Sequence, residues 1–207
     1  MIPLVHPTAQ SVGYTWRRVD TLHLFKDMLS TMTDLNRHLK QFIRDVPDFP
    51  IPGIMFRDIT TLLASPEGFR AAIDGLLSPY TGEQIDKVVV IESRGFIFGT
   101  PMAYALNAGV VPVRKPGKLP ANTLTEEYDL EYGTNSLQIH TDAIEPGERI
   151  IIVDDLLATG GTVDATIRLV RDLGGVIVGI SVLAELTDLN GRDRIPGYTI
   201  HSLVQYP

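Results

Sequence analysis

Apolar residues fall into two kinds of run along this chain, and their alternation sets the expected architecture. Lys87–Ile91, Val110–Val113, Ile150–Val153 and Val176–Leu183 are short, nearly continuous and rich in β-branched side chains, the pattern of strands buried on both faces. Ser136–His140 and Tyr198–Val204 are expected to add two more strands, the last near a sheet edge. Other apolar residues recur at helical spacing. Leu35, Leu39, Phe42, Ile43 and Val46 share one helical face, with Thr33 as the cap and Pro47 as the stop. Ser65-Pro66-Glu67 opens a second helix with a cap, a proline in the first turn and an acid at the positive end of the dipole. Its buried face is expected to be Phe69, Ala72, Ile73, Leu76 and Leu77, with Pro79 closing it. A third helix is expected to begin at Thr100-Pro101, and a fourth to carry Val163, Ile167 and Val170 as far as Gly174-Gly175. Repeated strand–turn–helix units give an α/β fold with a mainly parallel sheet flanked by helices. Ligands then bind at the carboxyl ends of the strands.

Three stretches fall outside this pattern. Phe49-Pro-Ile-Pro-Gly-Ile-Met-Phe-Arg-Asp58 is too proline-rich for a helix and too apolar for a solvated linker. It is expected to be a stiff apolar loop, either packing on the core or receiving a flat aromatic ligand. Pro120–Gly133 lacks helical periodicity, carries Thr123, Thr125, Glu126, Glu127, Asp129 and Glu131, and is expected to be a lid. Met1–Thr31 has scattered apolar residues and no apolar h-region after Arg17-Arg18. It is expected to be a poorly ordered extension or an over-long start, with Met28 and Met32 as alternative starts. Residues 32–207 then form one domain.

Composition narrows the function classes. With 207 residues, 44% of them hydrophobic and 21% charged, the chain suits one substantial core and a small appendage. A net charge of −7 argues against a general nucleic-acid or membrane-surface binder, so a polyanionic ligand must meet a local basic cluster. The absence of cysteine excludes disulfides and thiolate metal sites and fits a reducing cytoplasm.

The strongest chemical signal is Ile150-Ile-Ile-Val-Asp-Asp-Leu-Leu-Ala-Thr-Gly-Gly-Thr162. A buried strand leads to the carboxylates Asp154 and Asp155, and Ala158, Thr159, Gly160, Gly161 and Thr162 turn into a helix N-terminus. Converging backbone N–H groups and the helix dipole favour an anion there, and the threonines add hydroxyl donors. No lysine follows the glycines, so this is not a P-loop, and the G-x-G-x-x-G spacing of a dinucleotide site is absent. Arg114, Lys115 and Lys118 cluster at another strand end, either as a solvated loop or as a second anion contact.

An acidic pair followed by Thr-Gly-Gly-Thr resembles the phosphoribosyl-pyrophosphate (PRPP) motif of the type I phosphoribosyltransferases. From about Asp48 onward the chain resembles the adenine phosphoribosyltransferases. The likeness is carried in order by Phe49–Asp58, Ser93-Arg-Gly-Phe96, Arg114-Lys-Pro-Gly-Lys-Leu-Pro120, Tyr128-Asp-Leu-Glu-Tyr-Gly133 and Val153–Thr162. It implies a hood and base-binding segment at 32–58, a core at 59–207 and a flexible active-site lid. It further implies transfer of ribose 5-phosphate from PRPP to adenine, giving AMP and pyrophosphate, by a homodimer using Mg²⁺ carried on PRPP. By the same resemblance, Ala158–Thr162 would hold the 5′-phosphate and Asp154 and Asp155 the ribose hydroxyls. Arg94, Arg114, Lys115 and Lys118 would surround the pyrophosphate, some of them across a dimer. Phe56 and Leu156 would sandwich adenine, with the backbones of Met55 and Arg57 reading its edge. Glu131 would accept the N7 proton. The Glu92–Ser93 peptide can be cis in such proteins. Two rival readings are a phosphoribosyltransferase for hypoxanthine, guanine or orotate, and a non-catalytic PRPP sensor.

Overall fold

The structure, a computed structural model, describes residues 33–129 and 134–207. Residues 33–40 are helical (α1), and β1 (Arg44–Pro47) and β2 (Met55–Asp58) pair as an antiparallel hairpin. Helices α2 (Thr60–Ala64) and α3 (Pro66–Leu77) lead to β3 (Lys87–Ile91), α4 (Gly95–Leu106) and β4 (Gly109–Val113). A second antiparallel hairpin, β5 (Thr123–Asp129) and β6 (Thr134–His140), precedes β7 (Arg149–Leu157), α5 (Gly161–Asp172), β8 (Val176–Leu186) and β9 (Ile200–Tyr206).

Five strands form one parallel sheet in the order β4-β3-β7-β8-β9. Alternate residues of its central strands feed two cores. Val88, Val90, Ile151 and Val153 face α3 and α4, packing with Leu76, Phe98 and Met102. Val89, Ile91, Ile150 and Ile152 face α5, packing with Val163, Ile167 and Val170 and with Leu137 and Ile139 of β6. Burial on both faces is why these strands read as unbroken apolar runs. Pro112 is tolerated because β4 lies at the sheet edge.

The order also places the site. From β3 the chain moves outward to β4 and then returns to the other side of β3 as β7, so winding reverses between β3 and β7. A crevice opens at the carboxyl ends of strands at such a switch point.

Several boundaries differ from the sequence reading. Helix α1 gives way before Val46, which lies in β1 opposite Phe56. The apolar periodicity continues through Val46, but Arg44 sits opposite Asp58 and binds it (Nη2–Oδ2 2.5 Å), so the backbone pairs as a hairpin instead. The last four residues of the segment 49–58 are accordingly strand, with a cis Phe49–Pro50 bond in the connection. The α3 start is as expected: the Gly68 N–H donates to Ser65 Oγ at 3.1 Å, and Pro66 opens the helix. Helix α4 begins at Gly95 and contains Pro101, rather than starting there. Burial of Phe98, Met102 and Ala103 holds it helical through a residue that supplies no N–H. Strand β7 runs four residues beyond Val153, taking in the acidic pair. Much of Pro120–Gly133, read as a loop, is β5. Residues 1–32 and 130–133, and with them the expected extension and Glu131, lie outside the described residues.

Candidate active site

Strand β3 pairs with β7 only as far as Val90 opposite Val153. Beyond that point β7 keeps one neighbour, β8, with Asp154 opposite Val182 and Leu157 opposite Glu185. The two aspartates are therefore held on a rigid strand just where the adjoining strand has stopped. A cleft of about 230 Å³ opens there, lined by Glu92, Ser93 and Arg94 from the turn after β3 and by residues 154–163. Lys115, Tyr128 and Leu137 complete it. The Glu92–Ser93 peptide is cis.

At the head of this cleft the chain turns through Ala158 and Thr159 to Gly160, whose φ of +82° puts it in the left-handed region. Gly161 then begins α5, so free N–H groups of a first helical turn face the opening.

Both aspartates are buried. Burial pushes the Asp154 carboxyl well above the usual aspartate range, and the adjacent Asp155 charge pushes the same way. The Asp155 N–H donates to Asp154 Oδ1 at 2.8 Å. Arg94 Nε donates to Asp155 Oδ2 at 2.5 Å. Burial lowers the affinity of the Arg94 guanidinium for its proton, but the bond to Asp155 outweighs it, and the net shift is upward.

A second, more apolar cleft of about 180 Å³ adjoins the first. Ile54, Met55, Phe56, Arg57 and Ile59 form one wall and Leu156, Ala184 and Leu186 another, with Arg94 and Asp155 where the clefts meet. Phe49 meets Phe56 edge to face at 5.0 Å between centroids. The Arg57 side chain is engaged by Asp45 (2.5 Å) and lies 4.1 Å from the centre of the Tyr206 ring. Its place on β2 leaves its backbone beside the cleft.

Residues singled out from sequence far apart are thus brought together. Arg94, Lys115, Asp154, Asp155 and 158–162 line the first cleft; Met55, Phe56, Arg57 and Leu156 line the second. Arg114 and Lys118 reach the site through a residue the sequence reading passed over. Glu92 accepts from Arg114 Nε at 3.2 Å, from the Lys115 N–H at 3.1 Å and from the Lys118 ammonium. Burial raises the affinity of its carboxyl for a proton, but Lys118, the Lys115 N–H and Arg114 outweigh that, and the net shift is downward. The available signal was a carboxylate at the end of a buried strand, directly before Ser93-Arg94. Tyr128 and Leu137 were also missed, because they reach the cleft from the hairpin.

The phosphoribosyl transferase domain family matches residues 59–204. An adenine phosphoribosyltransferase of Acidobacterium capsulatum is 60% identical over 168 residues, covering 81% of this chain and 93% of that protein. The chain belongs to the adenine phosphoribosyltransferase family. The crystal structure of the Rhodothermus marinus member superposes with a TM-score of 0.80 at 55% identity, covering 84% of this chain and 99% of that one. The Saccharomyces cerevisiae member, complexed with an iminoaltritol bisphosphate and adenine, superposes at 0.78 with 36% identity, covering 83% and 99%.

Proposed function

We propose that the protein transfers ribose 5-phosphate from PRPP to adenine, releasing AMP and pyrophosphate, a step of purine salvage. The observation that carries this is the meeting of the two clefts at Arg94, Asp155 and Leu156. A phosphate turn and an apolar slot that share a wall fit a sugar phosphate and a flat base joined at one carbon. The turn Ala158–Thr162 holds the 5′-phosphate, and Asp154 and Asp155 orient the ribose hydroxyls. The slot takes adenine between Phe56 and Leu156, with the backbones of Met55 and Arg57 reading its edge.

As the bond from C1′ to pyrophosphate breaks, C1′ becomes cationic and negative charge grows on the leaving group. Arg94, Arg114, Lys115 and Lys118 meet that charge in a partly enclosed site, where fixed charges act more strongly than in water. Adenine attacks through N9 and gives up its N7 proton. Glu131, placed in the lid by the resemblance, takes that proton. Mg²⁺ would arrive on PRPP, with Asp154 and Asp155 the carboxylates beside the ribose rather than a metal site of the protein's own. Carried on PRPP, the ion would offset the charge of the pyrophosphate.

The protein acts as a homodimer in the cytoplasm. Helix α4 turns Ile97 and Tyr104 outward seven residues apart, Tyr104 being 90% exposed, and a second copy covers this stripe. No helix among the described residues is long and apolar enough to cross a membrane. Sedimentation of wild type and Tyr104→Asp tests the assembly; a monomeric wild type refutes it.

The reaction is tested by PRPP-dependent pyrophosphate release with adenine, hypoxanthine, guanine and orotate. Adenine is expected to exceed hypoxanthine by at least about 10³ in kcat/KM, since an oxo group reverses a donor that the site must pair. Comparable turnover of hypoxanthine overturns the adenine assignment, and no turnover of any base overturns the enzyme reading.

A further inference from the structure

The phosphate turn is backed by a segment that none of the expected site residues includes. Ideal Cβ positions locate the contact. A Cβ on Gly160 would fall 2.5 Å from the Gly191 carbonyl oxygen, and one on Gly191 would fall 2.2 Å from the Ala158 carbonyl oxygen. Two backbones touch here at a separation that excludes any side chain, from both sides.

Gly191 is held there by its neighbour. Arg192 forks onto Glu185 with Nε–Oε1 at 2.6 Å and Nη2–Oε2 at 2.7 Å, and also donates to Ser202 Oγ (3.1 Å) and the Ile200 carbonyl (3.1 Å). Glu185 is only 3% exposed and accepts a further bond from Ser202 Oγ at 2.6 Å. Its backbone lies opposite Leu157, the last β7 residue before the turn. One buried carboxylate therefore sits beside the entry to the turn and fixes the segment that presses on its back. A bidentate, charge-assisted pair within a hydrogen-bonded group is a rigid anchor.

We propose that Gly191 and Arg192 are positioning residues for the 5′-phosphate: the Glu185–Arg192 clamp presses Gly191 against Ala158 and Gly160 and so holds the turn's N–H groups in the arrangement that receives the phosphate. This rests on the reading of Ala158–Thr162 as the 5′-phosphate site. Neither residue lines either cleft. The effect is on the shape of a turn whose Gly160 has no side chain of its own to fix it.

The test uses ligands that differ only in that phosphate. Binding of AMP and of adenosine is measured by calorimetry for wild type, Gly191→Ala, Arg192→Gln and Arg192→Lys. The AMP-to-adenosine affinity ratio is expected to fall by at least about tenfold in Gly191→Ala and Arg192→Gln, the loss of roughly one charge-assisted contact. Arg192→Lys should lose less, about threefold, because lysine reaches Glu185 but cannot fork onto it. In steady state the KM for PRPP should rise while that for adenine holds within about twofold, a split that general destabilisation does not produce. Thr162→Asp separates the inference from the reading beneath it, since a carboxylate suits a helix N-terminus but competes with bound phosphate. If Thr162→Asp lowers the ratio while the Gly191 and Arg192 variants keep it, the positioning role is overturned and the phosphate site stands. If Thr162→Asp leaves the ratio unchanged, both fall. Equal losses for AMP and adenosine, or failure of all three clamp variants to fold, also overturn the positioning role, because the clamp would then serve the fold at large.

Discussion

Arg94 and Asp155 are joined across the switch point of the sheet, Nε to Oδ2 at 2.5 Å, where the cleft lined by residues 154–163 meets the apolar one. Arg94 comes from the turn between β3 and α4 and Asp155 from the extension of β7, so the contact ties that turn to a strand with which it shares no backbone pairing. With Asp155 nearly buried and Arg94 half exposed, the pair orients both groups more than it stabilises the fold.

That arrangement predicts coupling. Arg94→Lys and Asp155→Asn should each lower kcat/KM for PRPP, and the double variant should lose less than the sum. The expected coupling is about 0.5–1 kcal/mol, the low end for contacting residues, because Arg94 is half in water. The check is a double-mutant cycle on kcat/KM. Strictly additive losses would mean that the two act on substrate independently.

Glu92 predicts a different behaviour. It gathers Arg114, Lys118 and the Lys115 backbone into one fan. Glu92→Gln removes a negative charge next to the cations proposed to meet pyrophosphate, which by charge alone would tighten pyrophosphate binding. If the fan organises the loop, binding should instead weaken, by roughly tenfold for one lost charged bond, and the loss should persist at high salt. Titration of pyrophosphate at low and high salt decides between the two. Because the folded Glu92 carboxyl is shifted downward, its contribution to stability is complete above the ordinary glutamate range and is lost only as pH falls through the depressed value.

The same residue shows where sequence reading stops. β3 and β7 were legible because both faces are buried, and the turn after β7 because its chemistry is contiguous. Glu92 was not, since its partners lie 22 to 26 residues away and are met only when β4 folds beside β3. Strand β5 was hidden for a related reason. Leu124, Glu126 and Tyr128 occupy one face, and the charged Glu126 breaks the apolar alternation. It is tolerated there because Arg168 of α5 meets it at 2.7 Å. Val46 misled in the opposite direction, keeping a helical spacing on a backbone that had already turned into a strand.

Arg168 carries the next prediction. Besides Glu126 it donates to the Glu127 carbonyl at 2.8 Å and to Asp164, so it fastens the β5–β6 hairpin to α5, the helix that follows the Ala158–Gly160 turn. Arg168→Ala should lower stability by about 1–2 kcal/mol, the sum of a few partly exposed contacts. Amide exchange in 123–129 and 134–140 should quicken, with little change in the central sheet. Uniform quickening through β3 and β7 would show that Arg168 supports the whole fold.

Asp154 sets stability against function. Burial and the charge of Asp155 push its folded carboxyl above the ordinary aspartate range, so between the unfolded and folded values the native state holds the extra proton. Stability then falls as pH rises through that window, and the ionised carboxylate is a standing cost above it. Asp154→Asn removes the cost while keeping the shape. Its Tm should exceed wild type at pH 8, and the gain should shrink as pH drops towards the ordinary aspartate range. PRPP use should weaken in the same variant, since a ribose hydroxyl loses one of its two acceptor oxygens there, the exchange expected where a site holds a buried carboxyl. Thermal melts across pH, run beside KM for PRPP, check both halves. A variant less stable than wild type at pH 8 would mean that Asp154 is paired well enough to repay its burial. Unchanged PRPP kinetics would remove it from the site.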